Sequence, residues 1–79
     1  MIGLPAAVTA LVVDVTDGRR LFAATPVGVY SAAHASAPWQ AISPPWVVWN
    51  LVQDGAGRLY AARGNGIAWS DTPLQGGLV

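Results

Sequence analysis

The sequence predicts an all-β fold made of two similar units of short antiparallel strands. The segment RLFAATPVGVYS at residues 20–31 recurs as RLYAARGNGIAW at residues 58–69, an offset of 38 without a gap. Asp-Gly pairs occur at residues 17–18 and 54–55, and they predict β-hairpins because Asp and Gly tolerate the positive φ that tight hairpin turns require. Short runs rich in Val and aromatic residues flank them, as expected for strands. A repeat of this length indicates stacked units that bury their faces against one another.

Residues 1–79 are predicted to form one unit of two repeats, at about 1–38 and 39–76. Each repeat is predicted to contain four short antiparallel strands. The predicted strands are TALVVDV, RLFAAT, VYSA and PWQAI in the first period, and VVWNLVQ, RLYAA and IAWS in the second. Four such strands in 38 residues are typical of a propeller blade. The runs ALVV and WVVW are apolar at consecutive positions, which predicts burial of both strand faces between neighbouring blades. A small sandwich or barrel is the alternative.

Several of these segments resemble the Asp-box, or BNR-type, repeat of the propellers of sialidases, sortilin-like receptors and photosystem-assembly factors. VTALVVD, RLFAAT, GVYSAAHASAPW and RLYAARGNGIAWS are similar to that family's patterns V-x-A-L-x-x-D, L-Y-A-G-T and G-V-Y-x-S-x-D-x-G-x-x-W over nearly the whole chain. The chain departs from the Asp box itself, with Ala32, His34 and Ser36 in place of serine, aspartate and glycine. In the second repeat Ser70 keeps the serine, but Thr72 replaces the aspartate. The resemblance implies a propeller fold.

Size and composition indicate self-association. A chain of 79 residues buries a small core, it has no cysteine for disulfides, and its single histidine, His34, is too few for a structural zinc site. Only 10% of the residues are charged, whereas 53% are hydrophobic. Two blades cannot close a ring that usually needs about four to eight. We therefore expect homo-oligomerisation to complete the ring, with a trimer favoured over a tetramer or pentamer; trimeric two-bladed lectins are similar in plan.

The repeat offset also predicts how neighbouring chains join. Residues 1–4, MIGL, correspond to residues 39–42 in the outer strand of the first blade, and the second repeat has no equivalent outer strand. We expect MIGL to complete the last blade of a neighbouring chain by adding a strand. The alternative donor is GLV, residues 77–79, of the same chain.

The titratable residues do not form a known catalytic set. Those that titrate near or below neutral pH are four aspartates and one histidine, namely Asp14, Asp17, Asp54, Asp71 and His34. Asp17 and Asp54 are explained by turns, and Asp14 and Asp71 by positions beside strands. Arg19, Arg20 and Arg58 do not reproduce the arginine triad and tyrosine nucleophile of sialidases. We therefore expect no enzymatic activity, no cofactor and no metal.

The candidates for ligand binding lie at one end of the predicted blades. Loops between second and third strands, and the link between repeats, share one rim, opposite the Asp-Gly hairpins. This rim carries the predicted ligand-binding residues Trp46, Arg63 and Asn65. An aromatic ring beside a guanidinium and an amide suits a glycan or another polar ligand. The first repeat has two valines and a threonine at the equivalent positions, which predicts one site per chain.

Packing offers another explanation for some of these aromatic residues. Trp46 and Trp49 are three positions apart and would point to opposite faces of a strand, so at least one is expected in the inter-blade core. Trp39 is expected to be a structural tryptophan at the outer strand, and Trp69 is favoured as an interface residue over a ligand contact. The alternative function is therefore a structural or adaptor propeller, or an engineered propeller unit, without a small-molecule ligand.

Charge and hydropathy bear on partners and location. The formal net charge is zero, which predicts no nucleic-acid partner and no attraction to an anionic membrane. The first thirteen residues are apolar but lack a basic flank and are shorter than the roughly 20 residues of a membrane span. They are predicted to be part of the fold. The compartment stays open, with the cytoplasm as the default, because the absence of cysteine fits the cytosol without excluding export.

Overall fold

A computed structural model describes residues 7–64, 66–71 and 77–78, and this part of the chain is all-β. Its seven strands form two antiparallel sheets without a helix. The first sheet has the order β1 (Ala10–Val13), β2 (Leu21–Thr25), β3 (Gly28–Ala32) and β4 (Gln40–Ala41); the second has the order β5 (Val48–Gln53), β6 (Leu59–Arg63) and β7 (Gly66–Ser70). Each strand lies where the sequence predicts one. Since the described residues contain no helix, none of them forms one that could span a membrane.

The sequence repeat is also a structural repeat in the second and third strands of each sheet. Leu21 of β2 faces Ala32 of β3, and Leu59 of β6 faces Ser70 of β7. The two hairpins therefore have the same register at the offset of 38 that the sequence shows. The agreement is expected, because a change of one residue in register would move every side chain to the opposite face of its sheet.

The first strand of each sheet departs from this offset. Leu11 of β1 faces Ala23, whereas Leu51 of β5 faces Ala61. Ala23 and Ala61 are repeat equivalents. The structural counterpart of Leu11 is therefore Leu51 and not Trp49, the residue that follows Leu11 by 38 positions. A β-bulge early in β5 absorbs part of the difference. An ungapped alignment therefore matches the wrong residues in this strand.

Both Asp-Gly pairs lie in hairpin loops, as predicted, but the left-handed backbone lies elsewhere. Asp17 Oδ1 accepts a hydrogen bond of 3.1 Å from the Arg19 amide, and Asp54 Oδ1 accepts one of 3.0 Å from the Ala56 amide. Neither glycine of the two pairs has a positive φ, whereas Gly57 has a φ of 95°. The predicted reason for the turns is therefore wrong. The aspartate side chains close the loops by bonding to the backbone two residues later.

The two sheets pack face to face, and the main core lies between them. Its buried members are Phe22, Ala24 and Val29 from the first sheet, Val48, Leu51, Leu59, Ala61 and Ala68 from the second, and Leu78. Trp46 packs against this cluster while Trp49 is exposed. This confirms that one of the two tryptophans belongs to the core.

The sheets meet through faces that are not repeat equivalents. Phe22 of β2 is fully buried in the core, but its counterpart in β6, Tyr60, lies on the outer face of the second sheet. The second sheet instead buries Ala61. The counterpart of Ala61 is Ala23, which lies on the outer face of the first sheet. One face of the first sheet thus packs on the opposite face of the second.

The two outer faces remain largely open. On the first sheet, Trp39 packs over Ala23 and is 8% exposed, in agreement with its predicted structural role, but Leu11 is 50% exposed. On the second sheet, Val52 is 54% exposed. Within the described residues of one chain each sheet packs against one other sheet, so burial of both faces of the first strands between neighbouring blades stays a prediction for the assembled protein.

Leu78 lies in the main core, where its amide donates a hydrogen bond of 2.7 Å to the Ile42 carbonyl. Ile42 belongs to the link between the sheets, so this amide does not pair with β7. That pairing speaks against Leu78 as part of the outer strand of the second sheet, whereas Val79, the last residue of the alternative donor, lies outside the described residues. Met1–Leu4 lie outside the described residues, and strand donation by them stays a prediction.

A polar contact joins the two sheets at their hairpin ends. Gln53 donates a hydrogen bond of 3.1 Å to Asp14 Oδ1 and accepts one of 2.8 Å from the Val15 amide. The amide and hydroxyl of Thr16 also donate to Asp14 Oδ1, at 3.0 and 2.8 Å. Burial alone would raise the pKa of the Asp14 carboxyl, but these hydrogen bonds and the Arg20 charge outweigh it, so that pKa lies below its usual value.

We expect this contact to make stability depend on acidic pH. Because the folded-state pKa of Asp14 is lowered, the stabilisation is complete above the unfolded-state value of about 4 and is lost as pH falls through the folded-state value. Asp14→Asn imitates the protonated side chain and should cost about 1 kcal/mol at pH 7. Thermal unfolding between pH 7 and pH 2 should show the gap to wild type closing with acid.

Asp17→Asn is the matched control, because Asp17 lies in the exposed loop of the same hairpin and accepts one bond from the nearby Arg19 amide. We expect it to change the melting temperature little at any of these pH values. A gap between Asp14→Asn and wild type that stays constant down to pH 2 would contradict the prediction.

Candidate ligand-binding rim

The link between the two sheets is held against the turn between β2 and β3. Ser43 Oγ accepts a hydrogen bond of 2.8 Å from the Val29 amide and donates one of 2.8 Å to the Pro44 carbonyl. The Trp46 amide donates to the same carbonyl at 2.7 Å. Gly28 allows this approach, since a Cβ at that position would lie 2.9 Å from the Pro44 oxygen. The backbone therefore positions Trp46 before β5 begins.

Two of the three predicted ligand-binding residues contact each other. The guanidinium carbon of Arg63 lies 4.1 Å from the centroid of the Trp46 ring, within the range of a cation–π interaction. Arg63 is the last residue of β6, and both side chains are half-buried. The contact brings together the link between the sheets and the turn between β6 and β7, as the predicted rim requires.

Two other residues near the predicted rim, Asn65 and Thr25, do not contribute a described ligand contact. Asn65 lies outside the described residues. Thr25 is fully buried, and its hydroxyl donates to the Gly28 carbonyl at 2.9 Å and accepts a bond from the Val27 amide at 3.2 Å. It therefore closes the turn of the first repeat and has no free polar group for a ligand.

The stack determines which atoms of the rim can meet a ligand. Arg63 covers one face of the Trp46 ring, and the core packs against Trp46 as well. The ring is therefore not a free platform for a sugar, in contrast to the expectation from sequence. Among the described residues no carboxylate pairs with Arg63. Its planar guanidinium is held by the ring and keeps hydrogen-bond donors for acceptor oxygens.

A second arginine–tryptophan stack lies on the outer face of the second sheet. The guanidinium carbon of Arg58 lies 4.4 Å from the Trp69 ring centroid, and Arg58 also forms an ion pair with Asp71. Its repeat counterpart, Arg20, donates a hydrogen bond of 3.0 Å to Ser31. Both Arg20 and Arg58 therefore have structural partners, and Arg63 differs from Arg58 in lacking an acidic partner among the described residues.

The candidate catalytic residues make local structural contacts. Asp54 accepts hydrogen bonds from the Arg58 and Ala56 amides and lies near the Tyr60 hydroxyl. His34 Nδ1 accepts a bond of 3.2 Å from the Ser36 amide in an exposed loop. Within the described ranges, no three His, Cys, Asp or Glu side chains are grouped to hold a metal.

Sequence reasoning missed the groove on the outer face of the second sheet. Its volume is about 180 Å³, and its lining is formed by Asn50, Leu51, Val52, Tyr60, Ala62 and Ile67. The consecutive apolar residues of the second repeat predicted burial of both strand faces. Such a pattern does not show which face meets the neighbouring sheet of the same chain and which face stays open.

Fold and rim together define an all-β protein of two repeated antiparallel sheets with a cation–aromatic contact at one end. No protein-family model, no curated protein and no solved structure matches the chain.

Proposed function

We propose that this chain is a non-enzymatic β-propeller protomer that assembles with copies of itself and binds a polar ligand, with a glycan as the leading class, at the rim of Trp46, Arg63 and Asn65. The observation that carries the binding proposal is the Arg63 guanidinium, stacked 4.1 Å from the Trp46 ring centroid. Stacking limits the motion of the side chain, so less entropy is lost when its donors engage acceptor oxygens. This favours a ligand with a carboxylate or paired hydroxyls.

The propeller part of the proposal rests on how the sheets pack. Unlike faces meet, with Phe22 of the first sheet packed in one core with Ala61 of the second. A sandwich related by two-fold symmetry would join equivalent faces. Packing of opposite faces is instead the arrangement of successive units in a repeat array, in which each unit contacts only its neighbours.

A structural or adaptor protomer without a small-molecule ligand is the second candidate. It is favoured by the Arg58–Trp69 stack, which shows the same contact, at 4.4 Å, away from the rim. An arginine on a tryptophan can therefore be a packing contact in this chain.

We expect Arg63→Gln to weaken binding by about 10-fold or more, because a hydrogen bond from a charged donor contributes about 1.5–3 kcal/mol. The assay is an array of neutral and acidic oligosaccharides, followed by calorimetry with the tightest member. Trp46→Ala should cause a similar loss because it removes the surface that holds the guanidinium.

Matched controls lie elsewhere in the same chain. Arg19→Gln makes the same charge change in an exposed hairpin loop, and Trp49→Ala removes a tryptophan that is 55% exposed and has no arginine stacked on it among the described residues. Both should bind like wild type. Equal affinity of Arg63→Gln and wild type would remove Arg63 from the site, and no binding to any oligosaccharide class would support the structural candidate.

A further inference from the structure

The second sheet has an apolar outer face, here called the open face. Its residues alternate with those of the core along β5, β6 and β7, and they are Asn50, Val52, Tyr60, Ala62, Ile67 and Trp69. Ile67 is 70% exposed and Trp69 is 52% exposed. A groove of about 180 Å³ crosses this face. Contiguous exposed apolar surface of this kind is typical of an interface.

The open face is the repeat counterpart of a face that is buried within the same chain. Ile67 follows Val29 by the repeat offset, and Val29 is fully buried in the core. Tyr60 is related in the same way to the fully buried Phe22. The first sheet therefore already shows what covers this face, namely the opposite face of the next sheet.

The first sheet presents that opposite face to solvent, and we call it the docking face. It includes Leu11, Val13, Leu21, Ala23 and Tyr30. Leu11 is the pairing counterpart of Leu51, which is 4% exposed in the core, whereas Leu11 is 50% exposed. Trp39 covers part of the docking face around Ala23 and leaves the β1 side uncovered.

We infer that the docking face of one copy packs on the open face of a second copy and repeats the interface between the two sheets of each chain. In this arrangement Leu11 enters the groove lined by Val52 and Tyr60 of the next copy. The inference rests on the self-assembly in the proposed function and specifies its contact. Because the two faces differ, the contact is head to tail, so copies form a closed ring or a filament.

Native mass spectrometry and sedimentation velocity at micromolar concentration test this contact. Wild type should be an oligomer. Ile67→Asp on the open face and Leu11→Asp on the docking face should each dissociate it, so that the measured mass moves towards the 8.2 kDa of one chain. Val27→Asp is the control, since Val27 is 40% exposed in the turn between β2 and β3 and belongs to neither face. Val52→Lys and Val13→Lys, at positions 54% and 53% exposed, provide a second pair.

Mixing the two variants gives the decisive result. Ile67→Asp keeps an intact docking face and Leu11→Asp keeps an intact open face, so the mixture should form a one-to-one heterodimer with a single sound contact. If two open faces paired with each other instead, Ile67→Asp would dissociate the oligomer and Leu11→Asp would not. Mixing the two variants would then restore no contact.

The outcomes separate this inference from the proposed function. A wild-type chain that stays monomeric overturns both the self-assembly and the contact. An oligomer that survives Ile67→Asp and Leu11→Asp, or variants that mixing does not rescue, overturns the contact alone. Ligand binding is measured independently, because the residues of the rim belong to neither face.

Discussion

Replacement of Phe22 by alanine should remove a large part of the stability of this protein, about a quarter of it or more. Phe22 is fully buried and is the largest of the fully buried side chains in the core between the sheets. Truncation of a buried phenylalanine costs about 3–5 kcal/mol through lost apolar burial and the cavity that remains. The total stability of a domain of this size is roughly 4–12 kcal/mol. Urea unfolding followed by tryptophan fluorescence should therefore show Phe22→Ala with a far lower midpoint than wild type.

Tyr60→Ala is the matched comparison, because Tyr60 occupies the equivalent position in the second repeat but lies on the open face. At protein concentrations too low for association, this variant should lose much less stability than Phe22→Ala, since its ring is only partly withdrawn from water. Equal losses would mean that the two positions are equally buried, which would contradict the packing of unlike faces.

The second large effect is expected at Gly28. Its φ is 129°, a conformation that side chains with a Cβ rarely adopt, and a Cβ would lie 2.9 Å from the Pro44 oxygen and 3.1 Å from Ser43 Oγ. Backbone strain of about 1–2 kcal/mol is therefore joined by an overpacking cost of about 1–3 kcal/mol. Gly28→Ala should also displace the link that carries Trp46, so ligand binding at the rim should weaken with it.

Gly66→Ala separates the two causes. Gly66 is the repeat equivalent of Gly28 and has a φ of 148°, but no atom lies within 4 Å of a Cβ built on it. This variant should show the backbone strain alone, about 1–2 kcal/mol, in the same urea experiment. If Gly28→Ala and Gly66→Ala lost the same stability, the steric clash with the Pro44 oxygen would add nothing to the cost of Gly28→Ala, which would contradict the prediction.

The strands were predictable from sequence because they depend on local chemistry. Short runs rich in Val and aromatic residues between turn residues locate the strands in both repeats, and the offset between Leu21 and Leu59 predicts the common register of their hairpins. The failure at Leu11 and Leu51 has a physical reason: residues 14–20 link β1 to β2, whereas the shorter segment 54–58 links β5 to β6, so the paired residues of the first strands are displaced from the offset of 38. In the second hairpin the positive φ lies at Gly57 and not at Gly55 of the Asp-Gly pair, because Asp54 closes the turn with its side chain, which accepts a hydrogen bond from the Ala56 amide.

Part of the candidate site was also predictable. Position in the repeat was sufficient to bring Trp46 and Arg63 to one end, because turns between equivalent strands lie at equivalent edges. It was not sufficient to show that Arg63 lies over the ring and occupies the surface expected to receive a sugar. That depends on the link at Pro44, whose path follows from its packing against Gly28.

By itself the sequence determined the strands, their order in each repeat and the absence of disulfides, since residue type and spacing along the chain decide these. Tertiary structure decided which face of each sheet is buried. Phe22 and Tyr60 occupy the same place in the repeat, yet one is in the core and the other lies on the open face. The physical reason is that burial depends on the neighbouring sheet, and two sheets in one chain provide a single contact between opposite faces.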